Sequence, residues 1–464
     1  MDSSPIDAFG RRKHKLSKRQ KSNKEGQDLT SNLPNHVIGH ILSFLPTKEA
    51  IHTSVLSKRW LYLGTFITGL NFDDRDFYYS SCTIRKKSFI DFVDRALLHW
   101  NSGGFQSVSL ALLETYDSSC IKKWISVVLN LRIKKLCVNL QNELAVSSDA
   151  FFKCRFLEEL ILNRFAITVS SFVCLSSLSS LTILKLCRTK ISCDSSNESE
   201  TLTLNFPALR KYETLDCTWS GVKSVTLQVP LLEVVSIKYT SVSRDSHVEI
   251  KFYASRLTKF CYSGFVLDTI LLDTDSLASA DISLYNNEKS LQEIGMFVSK
   301  LLSIYPESLK LCVCIKQFVL AGSKHHFTDI PPFGMLSYLE LNFVGCEYLL
   351  SILLKTPCLK TLVLKVIYFD GMLMDFATVP HCLLHTLKVL KFKKSVGHVR
   401  GLSIAKYILE NGQVLERINF CLCSKEAQEK VLSFKKSSTS VILEFSTELF
   451  NNLILPKFHF SSYL

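Results

Sequence analysis

Two pairs of histidines stand four residues apart, His36 and His40 in "HVIGH" and His381 and His385 in "HCLLH". On a helix that spacing turns both imidazoles to one face, as in a zinc peptidase whose glutamate lies between them. Neither pair encloses a glutamate, so the general base is missing and both read as solvent-facing helix histidines. The sixteen cysteines occur singly or as Cys312-Val-Cys314 and Cys421-Leu-Cys423, with no C-x-x-C anywhere. No metal site is expected from that spacing. There is no Gly-Lys pair to build a phosphate-cradling loop, no G-x-G-x-x-G and no G-x-S-x-G elbow. The chain is therefore read as a non-enzyme with no catalytic residue, no metal and no cofactor.

Charge is the next chemistry. The 464 residues carry a net charge of +13. Arg11, Arg12, Lys13, Lys15, Lys18 and Arg19, together with Lys21 and Lys24, place eight of those positives in one run, leaving an excess of five elsewhere. The run has the density of a nuclear import signal or a polyanion-binding arm. No aromatic residue is interleaved with it, which counts against base stacking and nucleic acid as a partner. The start, "MDSSPIDAFGRRKHK", has acids where a secretory signal needs basic residues, so the thiols are expected reduced inside a cell, in the nucleus, the cytoplasm or both. No apolar run approaches the ~18 residues that cross a bilayer.

The apolar pattern shows which elements hold these residues. In "LPNHVIGHILSFLP", Val37, Ile38, Ile41, Leu42 and Leu45 recur at helical spacing between Pro34, which suits a first turn, and Pro46, which ends one. Thr47 is placed to cap a second helix, and Ser57 a third that carries "SKRWLYL" with Trp60 and Leu63 inward. Three short helices bury little area alone, so this unit is expected to need a partner surface. Phe89, Phe92, Val93, Ala96, Leu97 and Trp100 keep helical spacing too, and predict a helix that caps the end of a repeat array.

From residue 105 an L-x-x-L-x-L spacing takes over. It starts at 105, 133, 157, 181, 209, 232, 257, 277, 336, 359, 387 and 415, with a degenerate unit, "LKLCVC", near 309 in the one long gap. Most intervals lie in the ~20–29 residue range of leucine-rich repeats, where each unit is a strand, a turn and a return segment. One such unit cannot bury its own apolar face, but a stack shares one core.

The run from Asp28 through "LPNHVIGHILSFLP" to "VLSKRW" and "NFDD" resembles an F-box. The run "LHTLKVLKFKKSVGHVRGLSIAKYILENGQVLERINFCLC" resembles the FBD region found after leucine-rich repeats in a large plant family. The chain is thus identified as a member of the plant F-box/FBD/leucine-rich-repeat family. That resemblance implies an α/β fold: a three-helix F-box, then a curved leucine-rich-repeat solenoid, then an FBD-type cap. The expected division is a basic tail at 1–27, F-box 28–75, linker and capping helix 76–104, repeats 105–380, FBD region 381–452 and a C-terminal tail 453–464. The resemblance further implies a substrate adaptor of an SCF-type ubiquitin ligase. Leu33, Pro34, Ile41, Leu42, Leu45, Pro46, Val55, Leu56 and Trp60 would form the surface that docks on a Skp-type linker protein, or its support. Cullin and RING subunits would join through that linker, and the repeats would hold a protein substrate. A nuclear scaffold without ligase activity is the alternative.

Overall fold

The computed structural model describes residues 33–53, 68–77, 82–99, 106–170, 178–194, 201–240, 248–285, 306–313, 332–368, 378–393, 399–421 and 424–446, apart from short gaps within those ranges, together with Phe297 and Lys300.

Its spine is a ladder of parallel strands that succeed one another in chain order. They are Gly69–Asp73, Ser107–Leu112, Lys135–Ser147, Glu159–Ser170, Ile183–Cys187, Lys211–Leu215, Val234–Lys238, Lys259–Gly264, Ser279–Leu284, Ser308–Val313, Tyr338–Asn342, Thr361–Leu364, Val389–Phe392, Arg417–Cys421 and Ile442–Ser446. Each is hydrogen-bonded to the next, always parallel. The register explains the spacing read from the sequence. The second and third apolar residues of each unit form two continuous rows, one running Leu160, Leu184, Tyr212, Val235, Phe260 and the other Leu162, Leu186, Thr214, Ile237, Tyr262. The first leucine of a unit, as at Leu157, Leu181, Leu209, Leu232, Leu359 and Leu387, is buried just ahead of its strand. Period-two alternation sends the residues between the rows to the other face.

A parallel pair needs a crossover, and two kinds occur among the described residues. Helices make some of them or lead into the ladder: α1 (Asn35–Leu42), α2 (Thr47–His52), α3 (Cys82–His99), α4 (Ser118–Asn130), α5 (Asp149–Phe152), α6 (Cys346–Leu354), α7 (His381–His385), α8 (Val399–Asn411) and α9 (Lys425–Ser433). In the middle the return segments are strands, Thr201–Asn205, Ser224–Gln228, Glu249–Tyr253 and Ile270–Asp273, which pair in parallel as a second sheet. Val225, Leu227, Ile250 and Phe252 face inward from it, and the Tyr212 and Phe252 rings meet across the two layers at 5.4 Å.

The array starts one strand earlier than the leucine spacing shows. Gly69–Asp73 pairs with Ser107–Leu112, so α3 returns the chain between the first two strands instead of closing the end of the ladder. Phe89, Val93, Ala96 and Leu97 of α3 are buried as the spacing requires, while Trp100 lies outside the described residues. The expected third N-terminal helix also falls outside them. At the other end Ile442–Ser446 adds a strand that the repeat spacing did not mark.

Candidate functional site

The N-terminal unit is built from α1 and α2. The Pro34 carbonyl accepts the Val37 and Ile38 amides at 3.0 and 3.2 Å, so the proline opens α1 where its missing N–H costs nothing. Amides of Phe44 and Leu45 close the helix on the carbonyls of Ile41 and Leu42 at 3.2 and 3.1 Å. The five apolar residues of this stretch span an arc too wide for one contact. Ile38 and Leu42 take the inner part and join the same buried core as Ala50, Leu70 and Phe72, and Leu42 is 2% exposed. Ile41, Phe44 and Leu45 are left in solvent at 47, 75 and 38% exposure. Pro34 is exposed beside them, and Leu33 packs partly against the core. His36 and His40 are solvent-facing, and the His40 ring lies edge-on to Phe44 at 4.9 Å.

Of the residues expected to dock a linker protein, the structure thus leaves Pro34, Ile41 and Leu45 in solvent and turns Leu42 inward. Pro46, Val55, Leu56 and Trp60 lie outside the described residues, as do Arg11, Arg12, Lys13, Lys15, Lys18 and Arg19. Phe44, the most exposed large apolar residue of the cluster, was missed because it falls off the helical spacing of the other five. Its signal in the sequence is an aromatic residue set between serine and Leu-Pro.

The unit is tied to the ladder by buried polar contacts. The Asn71 amide donates to the hydroxyl of Thr47 at 2.6 Å, joining the first residue of α2 to the first strand. Lys48 donates to the Asp76 carbonyl at 2.6 Å and sits 4.3 Å above the Phe77 ring. Asp74, fully buried, accepts the Glu114 amide at 2.8 Å and the Tyr116 hydroxyl at 3.3 Å, which joins the turn after the first strand to the segment after the second. Burial pushes the Asp74 carboxyl above the ordinary aspartate range, against the lowering effect of those bonds. Behind it the Trp124 indole donates to Asp94 at 2.8 Å, locking α4 to α3.

Among the described residues no catalytic arrangement emerges elsewhere. His381 and His385 sit on the exposed side of α7 with ring centroids 4.5 Å apart. Among the described residues no three of His, Cys, Asp and Glu are grouped to hold a metal ion, and no helix is long and apolar enough to cross a membrane. Burial raises the thiols of Cys187 and Cys217 to about 12, which keeps both protonated and unreactive at neutral pH.

At the far end, strands Val389–Phe392 and Arg417–Cys421 continue the ladder in register with Thr361–Leu364. Helix α8 ends at Gly412, whose amide donates to the Ile408 carbonyl at 2.7 Å. A β-carbon there would stand 2.7 Å from the same oxygen, so the position is closed to any other residue without movement of the backbone.

Comparison with known proteins matches residues 30–64 to the F-box domain and residues 376–420 to the FBD family. The chain is therefore an F-box protein of mixed α/β fold that also carries an FBD domain. An F-box/FBD/LRR-repeat protein of Arabidopsis thaliana is 29% identical over 443 residues, spanning 90% of this chain and 95% of its own length. A second such protein from the same plant is 26% identical over 446 residues, spanning 89% of this chain and 93% of its own. An FBD-associated F-box protein, also from Arabidopsis, is 26% identical over 420 residues, 85% of this chain and 87% of that protein. The chain is thus similar along most of its length to plant F-box/FBD/LRR-repeat proteins, and its FBD match supplies two strands of the ladder.

Proposed function

We propose that the protein is the substrate-recognition adaptor of an SCF-type cullin-RING ubiquitin ligase. The observation that carries this reading is the cluster of Ile41, Phe44 and Leu45, held in solvent inside the F-box match by a helix whose other side is locked into the ladder. Exposed apolar residues on a rigid support are what a helix-lined partner surface buries. Pro34, Ile41 and Leu45, with Phe44 added, contact the Skp-type linker, and Leu42 supports them from behind. Leu33, Pro46, Val55, Leu56 and Trp60 complete the surface or its support. The cullin and RING subunits are reached through the linker.

In this reading the strands form a leucine-rich-repeat solenoid with a concave substrate-binding face, and the FBD region closes its far end. The residue divisions expected from the sequence serve as its units, with the first repeat strand moved forward to Gly69–Asp73. The protein makes no bond itself; it raises the local concentration of a substrate lysine beside the charged ubiquitin carrier. The basic run at residues 11–24 directs part of the population to the nucleus, which a reporter fused to residues 10–25 would test. The decisive experiment is co-purification. The intact chain should carry a Skp-type linker and, through it, a cullin, and Ile41→Asp with Phe44→Asp should release both. Retention of the linker by that variant overturns the docking surface, and a chain that never carries a cullin overturns the ligase role.

A further inference from the structure

The residues that alternate with the buried rows form the other face of the ladder, where Lys259, Lys310 and Lys391 are exposed and Glu213, Ser236, Glu340 and Val363 are covered by their neighbours. Across the nine strands from Ile183–Cys187 to Val389–Phe392 they are strongly biased in charge. One group centres on Glu213, which pairs with Lys185 at 3.1 Å and Lys211 at 2.8 Å. A second centres on Glu340, buried beneath Lys365 and Lys393 at 3.1 and 2.9 Å and holding the Tyr338 hydroxyl at 2.8 Å. Each carboxylate is outnumbered two to one by the lysines around it. Between and beyond these groups stand Lys238, Lys259, Lys310 and Lys391, against Asp281 alone.

Eight lysines therefore face three carboxylates on this surface, an excess of five. That equals the whole net charge of the chain outside residues 11–24, so the remainder of the molecule is balanced and the bias belongs to this face. Lys259, Lys310 and Lys391 are exposed. Lys238 is half-buried beside Cys261, Glu213 and Asp281, and its desolvation lowers its proton affinity below that of an ordinary lysine. A cation already stripped of some of its water is cheaper to bring against an anion.

We propose that this face reads the substrate, and that what it takes is an extended polypeptide segment rich in Asp and Glu. The proposal rests on the adaptor reading. Nine strands about 4.8 Å apart span roughly 38 Å, the length of about twelve residues of extended chain. Acidic protein is favoured over nucleic acid because, among the described residues, outward aromatic side chains stand at only two places along these nine strands: Tyr338, whose hydroxyl is engaged by Glu340, and the Phe265–Tyr285 pair, edge to face at 6.0 Å with the Tyr285 hydroxyl hydrogen-bonded to Ser263. A run of bases would find no continuous stacking platform there.

The test uses the full chain with its Skp-type linker and fluorescein-labelled twelve-residue peptides, read by polarisation. An Asp/Glu-rich peptide should bind, a Ser/Gly-rich one should not, and affinity should fall as salt is raised. Lys259→Glu, Lys310→Glu and Lys391→Glu together break none of the ion pairs described above, and should weaken acidic-peptide binding at least tenfold while leaving the linker bound. Deleting residues 1–27 should change peptide affinity less than threefold. Equal binding of the two peptides, indifference to the triple reversal, dependence on residues 1–27 alone, or preference for a single-stranded RNA twelve-mer each overturns the proposal. If the intact chain binds the linker but not the acidic peptide, this face alone is wrong; if the intact chain binds the acidic peptide but not the linker, the adaptor reading alone is wrong.

Discussion

Truncating Phe44 separates docking from folding more cleanly than any other change in the F-box helices. A buried aromatic side chain removes ~150–250 Å² from water, and with Phe44 at 75% exposure about 150 Å² of that remains to be covered by a partner. At ~25 cal/mol per Å² its burial contributes at most about 4 kcal/mol to binding. Ordering costs on association reduce this to about 2 kcal/mol, in the hot-spot range, or ~30-fold in Kd. Phe44→Ala should therefore weaken binding to the purified linker about 30-fold by calorimetry, and Ile41→Ala, with a smaller side chain and 47% exposure, about tenfold. Neither should shift the thermal unfolding midpoint measurably, because neither side chain is in the core. Kd values within about threefold of the intact protein for both variants, with unchanged melting, would mean that the linker approaches another surface.

Leu42→Ala should behave in the opposite way: about 2–5 kcal/mol lost in urea unfolding, from a cavity left where a fully buried side chain stood. Gly412→Ala pushes a methyl group against the Ile408 carbonyl and should cost about 1–3 kcal/mol by the same measurement, with linker binding intact. Asp74 is a buried acid with a raised folded-state pKa, so its contribution is complete below about pH 3.8 and is lost as pH rises through the folded value. Asp74→Asn keeps an acceptor for the Glu114 amide and removes that loss, so its stability relative to the intact protein should rise across that interval and stay level above it. Glu340 has the opposite sign. Burial raises its pKa, but Lys393, Tyr338 and Lys365 outweigh burial and lower it, so its stabilisation is present above pH 4.5 and fades as acid protonates it. Glu340→Gln should cost about 1–2 kcal/mol at neutral pH and much less in acid below the folded-state pKa.

The strands were legible because each L-x-x-L-x-L unit commits three residues to one core, and the register repeats that demand from Leu136 to Ile418 without a break. The first strand was hidden. "GLNFD" carries two apolar residues, Leu70 and Phe72, and lacks the leading leucine, so it read as the tail of the F-box. The strand return segments in the middle were hidden as well, since "TLTLN" and "SVTLQ" alternate in the same way as the ladder strands and only their pairing with one another separates the layers. In α1 the spacing marks the helix but not which side faces in. Leu42 and Ile41 are adjacent and equally apolar, and it is the position of the first strand, not the helix, that decides between them.

That choice has a consequence for the adaptor as a whole. Ile38 and Leu42 share one core with Leu70 and Phe72, and Thr47, Lys48 and Asp74 add polar ties across the same junction. The residues proposed to dock the linker are therefore carried by a unit that shares its core with the ladder. In a protein that works by proximity, fixed geometry between the two surfaces sets which part of a bound substrate reaches the ubiquitin carrier, because a wobbling junction dilutes the effective concentration it creates. The ladder itself divides in a similar way along its length: the stack holds most inward residues to an apolar type, while exposed outward residues such as Lys259, Lys310 and Lys391 carry no such obligation. The core does not constrain their charge, which is why the fold can be read from spacing while the proposed target preference lies in the residues that spacing skips.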